Sequence, residues 1–412
     1  MSRFALCLAL AVVACTAAAD AGQEAEWRKR IRDTLFVPAP LPALVPRPHG
    51  SFEPVSGVIA ERISYGTQFG MRVPAILYRP RSPQGRIPAL VVVNGHGGDK
   101  YSWYAFYSGI LYARAGAAVL TYDPIGEGER NARRESGTRA HDNLEQPEEL
   151  GRRMGGLMMT DVMQAVSYLR SRAEVDSERI GAMGYSMGSF VLALACAVET
   201  RLKVCVLVGG GNLDEANGYW DNSKPMCQGI PYRSLGFLGD RPAVLYALHA
   251  ARGPTLIYNG LEDSVVAIPR HGEPFFEDLR RRVARLRGSE AGLFETGFVA
   301  GASHRPYFVT RPVAQWLERE LDFPGWSADD IASMPETHIS QWARSEGVVM
   351  DPLYATEHRE GGARALGSGV PGIGRHQLNV FSPDEWRRRK HTLIYERWME
   401  EARSALSVPH QR

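Results

Sequence analysis

The stretch Arg179-Ile180-Gly181-Ala182-Met183-Gly184-Tyr185-Ser186-Met187-Gly188-Ser189 runs from a short apolar strand into a serine flanked by glycines. A helical segment rich in Ala, Leu and Val follows, from Phe190 to Val198. This is the pattern of a nucleophile elbow. A tight strand-to-helix turn strains the backbone of its central residue, so the positions two before and two after it must be small. Gly184 and Gly188 meet that need and lift Ser186 above the sheet edge. The helix behind Ser186 points backbone N–H groups and the positive end of its dipole at any oxyanion formed there. The string by itself is common. Its weight comes from the strand before it, the helix after it and two partners farther along the chain.

Upstream of the elbow, Ala89-Leu90-Val91-Val92-Val93 and Ala117 to Tyr122 are almost continuously apolar, which marks strands covered on both faces. A helical stretch, Tyr104 to Ala113, separates them. The alternation continues with a helix from Leu157 to Arg172, the elbow strand and helix, and strands at Val204 to Val208 and Thr255 to Tyr258. An arginine-rich helix from Phe275 to Arg287 and a strand from Leu293 to Val299 complete it. Strand and helix in alternation predict an α/β fold, a mostly parallel twisted sheet with helices on both faces. Two earlier runs, Val58 to Tyr65 and Val73 to Tyr78, with Gly66 and Gly70 between them, predict an N-terminal antiparallel hairpin.

The expected organisation is a signal peptide over 1–19, an arm over 20–57, a catalytic domain over 58–325 and a C-terminal extension over 326–412. The arm carries a short helical patch, Trp27 to Leu35, and an extended proline-rich stretch, Pro38 to Pro54. Within the domain, 209–253 has little regular pattern and holds Trp220, Tyr232 and Phe237, so it is a candidate lid. In the extension, Glu385 to Ser404 reads as helical. Met1-Ser2-Arg3 precedes an apolar run from Phe4 to Ala14, too short to span a bilayer, and Ala17-Ala18-Ala19 offers a cleavage site. The expected location is therefore periplasmic or secreted. Val12-Val13-Ala14-Cys15 also resembles a lipobox, and lipidation of Cys15 is the one route to a membrane.

A serine hydroxyl is a poor nucleophile at neutral pH. It needs a histidine to take its proton and a buried carboxylate to hold that histidine. Both follow in order. Asn259-Gly260-Leu261-Glu262-Asp263 places an acid beyond the strand Thr255 to Tyr258, with Asp263 the expected partner and Glu262 the alternative. Ala300-Gly301-Ala302-Ser303-His304 brings a histidine to the same sheet edge. The order Ser186, Asp263, His304 is that of an elbow-type hydrolase. For the oxyanion, one donor is the backbone N–H of Met187. The second is expected on Asn94-Gly95-His96-Gly97-Gly98-Asp99, at Gly98 or alternatively Gly97, with His96 shaping the loop.

The whole chain has 412 residues, 44% hydrophobic and 23% charged, which is globular composition. Its net charge of +2 and pI near 8.2 give no basic surface of the kind nucleic acid binding needs. Of five cysteines, two lie in the leader, leaving Cys196, Cys205 and Cys227. An odd number argues against a disulfide framework. Cys196 and Cys205 read as small packing residues, a bridge to Cys227 being the alternative. His96, His141, His271 and His304 are too scattered along the sequence to predict a metal site. Gly126-Glu127-Gly128 lacks a dinucleotide fingerprint, and the arginines of 280–287 read as a solvated helix face.

With these residues in hand, the chain resembles the α/β-hydrolases, and within them the acetyl xylan esterase and dienelactone-hydrolase-like branch. Gly184-Tyr185-Ser186-Met187-Gly188, His96-Gly97-Gly98, Asp263 and His304 carry the resemblance, which spans roughly Ile87 to Leu321. It implies serine-dependent acyl transfer to water with no metal or organic cofactor. It also implies that the loop Asp123 to Arg130 frames the pocket. Short acyl esters such as acetylated carbohydrates are the expected substrates. A serine peptidase of the prolyl-oligopeptidase kind and a non-catalytic binding protein are the alternatives. The long C-terminal extension departs from a minimal hydrolase.

Overall fold

A computed structural model describes residues 21–142, 148–211, 225–288, 292–334 and 373–407. The leader, Cys15 and Trp220 lie outside them. A helix over 21–34 (α1) leads into strand β1, Arg47–Val55. β2 (Val58–Gly66) and β3 (Arg72–Pro80) form the expected antiparallel hairpin. β1 pairs outside β2, so the proline-rich arm is partly an edge strand. An edge position tolerates Pro48 and Pro54 because a ladder there can lack one N–H.

The α/β core follows with β4 (Ile87–Val93), α2 (Trp103–Arg114), β5 (Ala118–Tyr122), α3 (Glu148–Arg170), β6 (Val175–Tyr185), α4 (Met187–Val198) and β7 (Val204–Val208). Next come a short α5 (Ile230–Arg233), α6 (Arg241–Ala250), β8 (Thr255–Gly260), α7 (Ile268–Arg287), β9 (Phe294–Val299) and α8 (Arg311–Leu321). One nine-stranded sheet runs β1-β2-β3-β5-β4-β6-β7-β8-β9, parallel from β5 through β9 and antiparallel from β1 through β3 and at β3–β5. Crossing β5 to the far side of β4 puts a switch in strand order beside β6, and ligand sites of open α/β sheets form beyond the carboxyl ends at such a point.

Both faces are covered, as the apolar strands require. One face packs α1, α3, α4, α6 and α7 over side chains such as Leu77, Val91, Leu120 and Leu207. The other packs α2 and α8 over Leu90, Val92, Val119 and Val206. The candidate lid divides in two. Arg241–Ala250 is a buried crossover helix between β7 and β8, whereas Tyr232 packs its ring 5.7 Å from Phe190 on the elbow helix. Crossover geometry accounts for this: parallel neighbours β7 and β8 need a connecting helix on the sheet. Residues 212–224 between them lie outside the described part.

Beyond α8 a short α9 (Ala328–Ala332) begins on a Ser327 capping box. The C-terminal extension then covers the core through α10 (Arg375–Leu378), α11 (Pro383–Arg389) and α12 (Tyr395–Ser407). The stretch Glu385 to Ser404, expected to be helical, is two helices joined by a turn. Phe381 and Trp386 enter the α2 face, while Trp398, Met399 and Ala402 enter the α3 face. The extension is tied to the loop after β5. Trp386 Nε1 donates to the Glu129 carbonyl at 2.8 Å, and the Val380 and Phe381 N–H groups donate to the Glu129 carboxylate at 2.8 and 2.9 Å.

Cys196 and Cys205 form a disulfide, which corrects the expectation that both are packing thiols. The bond joins α4 to the adjacent strand β7. Among the described residues Cys227 is the remaining cysteine and is buried.

Candidate active site

Ser186 sits between β6 and α4 with φ 54° and ψ −118°, a region an L-residue enters only under constraint. The constraints are visible. Its N–H donates to the Val208 carbonyl of the neighbouring strand at 2.8 Å, and its own carbonyl accepts from the Ser189 and Phe190 N–H groups at 3.0 and 3.2 Å. The flanking glycines are required by contact. A Cβ on Gly184 would lie 2.5 Å from the Gly188 carbonyl oxygen, and one on Gly188 would lie 2.1 Å from that of Val93. Ser186 is half-buried among fully buried neighbours.

Asp263 and His304 meet as expected. Asp263 stands on the loop after β8, fully buried, and its Oδ2 lies 2.7 Å from His304 Nδ1. Its Oδ1 accepts from the Val265 and Val266 N–H groups at 3.0 and 3.2 Å, which fixes the carboxylate plane. Adjacent Glu262 is exposed. His304 Nε2 is buried and has no hydrogen-bond partner among the described residues. An imidazole held from one side by a carboxylate, with its second nitrogen uncommitted, is poised to accept a proton.

The elbow and the His304 loop are neighbours. The Tyr185 ring packs 5.0 Å from the imidazole, and the Tyr185 hydroxyl reaches the His304 carbonyl at 3.4 Å. Gly209, just past β7, has φ 62° and approaches so closely that a Cβ there would lie 2.9 Å from His304 Cε1. The glycine run Gly209-Gly210-Gly211 was a readable signal that the sequence analysis did not use. Gly95 presses on the other side, with a would-be Cβ 3.1 Å from Ser186 Cβ. The loop after β4 therefore lies against the serine.

The turn after β4 bears on which of the two expected glycines can be the second oxyanion donor. The Gly98 N–H donates to the Gly95 carbonyl at 3.0 Å, closing a turn whose third residue, Gly97, has φ 68°. A turn with positive φ at that position favours glycine, which explains Gly97, and it commits the N–H assigned to Gly98. Gly97 thereby becomes the stronger candidate. Met187, the first residue of α4, stands directly after the serine, as an elbow donor must.

The loop is anchored by buried charge. Lys100 Nζ lies 2.5 Å from Asp123 Oδ2 and 2.9 Å from Glu129 Oε2, while Arg375 of the extension reaches Asp99 Oδ2 at 2.8 Å. Loops after β4 and β5 and the C-terminal extension are thus one electrostatic unit. Glu127 is buried in the loop after β5, with Oε1 accepting the Arg139 N–H at 3.0 Å and Oε2 without a well-formed hydrogen bond among the described residues. Burial pushes its carboxyl up to about 7. A cavity of about 310 Å³, lined by residues including Ile87, Gly116 and Pro324, opens at the amino ends of β4 and β5, the opposite edge from this chemistry.

Sheet order, elbow and crossovers are those of the α/β-hydrolase fold, and parts of the sequence match an esterase family and a peptidase family. Residues 53–208 match the acetyl xylan esterase family, and residues 145–328 match the prolyl oligopeptidase family. The chain is 30% identical over 146 residues, 33% of its length and 47% of the relative, to YtaP of Bacillus subtilis, provisionally named a hydrolase. It is 28% identical over 151 residues, 36% of its length and 21% of the relative, to YuxL of the same organism, named an uncharacterized peptidase. The chain spans less than half the length of these curated relatives. Among solved structures it is similar to the methylesterase BT1017 (TM-score 0.52, 19% identity, 78% of this chain and 73% of that one). It is also similar to an acetyl xylan esterase from Paenibacillus sp. R4 (TM-score 0.50, 17% identity, 72% and 94%) and a glucuronoyl esterase from Solibacter usitatus (TM-score 0.50, 12% identity, 73% and 92%). At these identities the likeness is one of fold.

Proposed function

We propose that the protein is an exported, serine-dependent carboxylic ester hydrolase acting through an acyl-enzyme on carbohydrate esters with short acyl groups. The observation that carries the reading is the pairing of His304 Nδ1 with buried Asp263 at 2.7 Å, beside a serine at φ 54°. Ser186 Oγ attacks the ester carbonyl carbon as His304 Nε2 takes its proton. Asp263 keeps the imidazole in the tautomer that can do this and stabilises the imidazolium. The Met187 and Gly97 N–H groups take the negative charge on the carbonyl oxygen. Collapse expels the alcohol with the proton from His304. Water then attacks the acyl carbon, giving its proton to His304, and the acid leaves as Ser186 regains its hydroxyl.

The carbohydrate ester assignment is supported by the match to the acetyl xylan esterase family over 53–208, a stretch that includes the loop after β4 and Ser186. Export is supported by the apolar leader and small-residue cleavage site in the sequence. Among the described residues no helix is long and apolar enough to cross a membrane. A second reading, a serine peptidase, is favoured by the prolyl oligopeptidase match over 145–328, which includes Ser186, Asp263 and His304. The test is hydrolysis of p-nitrophenyl esters from acetyl to long acyl, beside peptidyl p-nitroanilides and acetylated xylan. Rapid turnover of short esters and release of acetate support the esterase. Preference for the anilides makes it a peptidase.

A further inference from the structure

His96 and His141, 45 residues apart in sequence, come together in the fold with Asp142 and Cys227, and their four candidate ligand atoms all lie within 4.8 Å of one another. His96 stands on the loop after β4, His141 and Asp142 on a helical turn, Ala140–Asp142, and Cys227 on the single turn Pro225–Gly229. We propose that these four side chains form a closed binding site for a divalent transition metal of the zinc class, joining the loop after β4 to two segments distant in sequence.

The distances support coordination. Asp142 Oδ1 lies 3.0 Å from His96 Nε2, 3.3 Å from Cys227 Sγ and 3.6 Å from His141 Nε2, and His96 Nε2 lies 3.0 Å from Cys227 Sγ. Zinc bonds of about 2.0 Å to nitrogen or oxygen and 2.3 Å to sulfur put tetrahedral ligand atoms about 3.3 to 3.5 Å apart. The observed separations straddle that range. The donor set, two imidazoles, one carboxylate and one thiolate, is borderline-soft and suits zinc better than calcium or magnesium, which prefer oxygen alone.

Hydrogen bonding alone leaves the cluster unfinished. His96, Asp142 and Cys227 satisfy one another, but His141 is fully buried and, among the described residues, its ring nitrogens make no well-formed hydrogen bond, only a contact with the Ile125 backbone, while Asp142 Oδ2 has no partner there. An unsatisfied buried imidazole and carboxylate oxygen cost free energy that a cation removes. The His96 and His141 rings stack with centroids 5.4 Å apart. The other cluster, Cys196, Cys205 and His249, offers no such site: both sulfurs are in the disulfide, and His249 Nδ1 lies 2.7 Å from Thr255 Oγ1.

This inference is independent of the esterase reading and is tested by metal content. The full-length protein, expressed with zinc in the medium and dialysed against metal-free buffer, should retain one equivalent of zinc. Replacing the metal with cobalt should give tetrahedral d–d bands and a thiolate charge-transfer band. His141→Ala and Cys227→Ser should weaken zinc binding at least a hundredfold, and Cys227→Ser should abolish the charge-transfer band. Far-ultraviolet circular dichroism checks that the variants are folded. Should both unfold, the cobalt spectrum of the wild type decides. Substoichiometric zinc together with no cobalt–thiolate band in the wild type overturns the proposal, as does a folded His141→Ala that binds zinc as the wild type does.

Discussion

Asp263→Asn exchanges one oxygen for an amide nitrogen at a fully buried position, and the surrounding hydrogen bonds dictate which way the amide faces. Oδ1 accepts from the Val265 and Val266 N–H groups, so the amide oxygen must stay there and the NH2 must face His304 Nδ1 across 2.7 Å. A donor at that place requires a lone pair on Nδ1, which moves the imidazole proton to Nε2. That nitrogen must take the serine proton. With shape and backbone hydrogen bonds preserved, the fold should hold while kcat falls about ten-thousand-fold, about 5.4 kcal/mol at 1.36 kcal/mol per decade. The assay is saturating p-nitrophenyl acetate hydrolysis, read beside the urea midpoint of the same samples. A folded Asp263→Asn protein within tenfold of wild type would refute the assignment of His304 as the base oriented by Asp263.

Three further outcomes follow from the packing. Gly209→Ala puts a Cβ 2.9 Å from His304 Cε1 on a residue at φ 62°, so kcat should fall at least tenfold with a stability loss of about 1 to 3 kcal/mol by urea unfolding; unchanged kcat would count against the close approach. Glu127 is held near pKa 7 in the folded state, above its unfolded value, so the folded protein binds its proton more tightly. Stability should therefore fall as pH rises from about 4.5 to 7, by up to about 3 kcal/mol, and this component should level off above 7. In Glu127→Gln that part of the pH dependence should vanish, and its persistence would place the titration elsewhere. Cys196 and Cys205 are nine residues apart, and a loop of that size predicts that Cys196→Ala/Cys205→Ala loses about 2.6 kcal/mol by urea unfolding; no loss would mean that the bond does not stabilise the fold.

The core was legible where one local pattern sufficed. Val204–Val208 is a strand with the bounds its apolar run suggests, and the elbow, Asp263 and His304 sit beyond carboxyl ends of their strands. Misread elements were those decided by tertiary contact. α3 reaches back past Leu157 to Glu148, the first described residue there, because Gly155 and Gly156, helix-weakening in isolation, allow close packing: a Cβ on Gly156 would lie 1.7 Å from the Leu35 carbonyl oxygen. β1 was hidden in a proline-rich arm whose pairing partner alone makes it a strand. The disulfide depends on α4 lying on β7, and the His96, His141, Asp142 and Cys227 cluster depends on segments 131 residues apart. Neither distance is encoded in spacing along the chain.

The central claim is that Ser186 is an activated nucleophile. Its most direct test is intact-protein mass spectrometry after a fluorophosphonate, with peptide mapping of the adduct. The account predicts one adduct per chain, mapped to Ser186, and its loss in folded Ser186→Ala. A folded wild type that takes no label, or takes it at another serine, would contradict it.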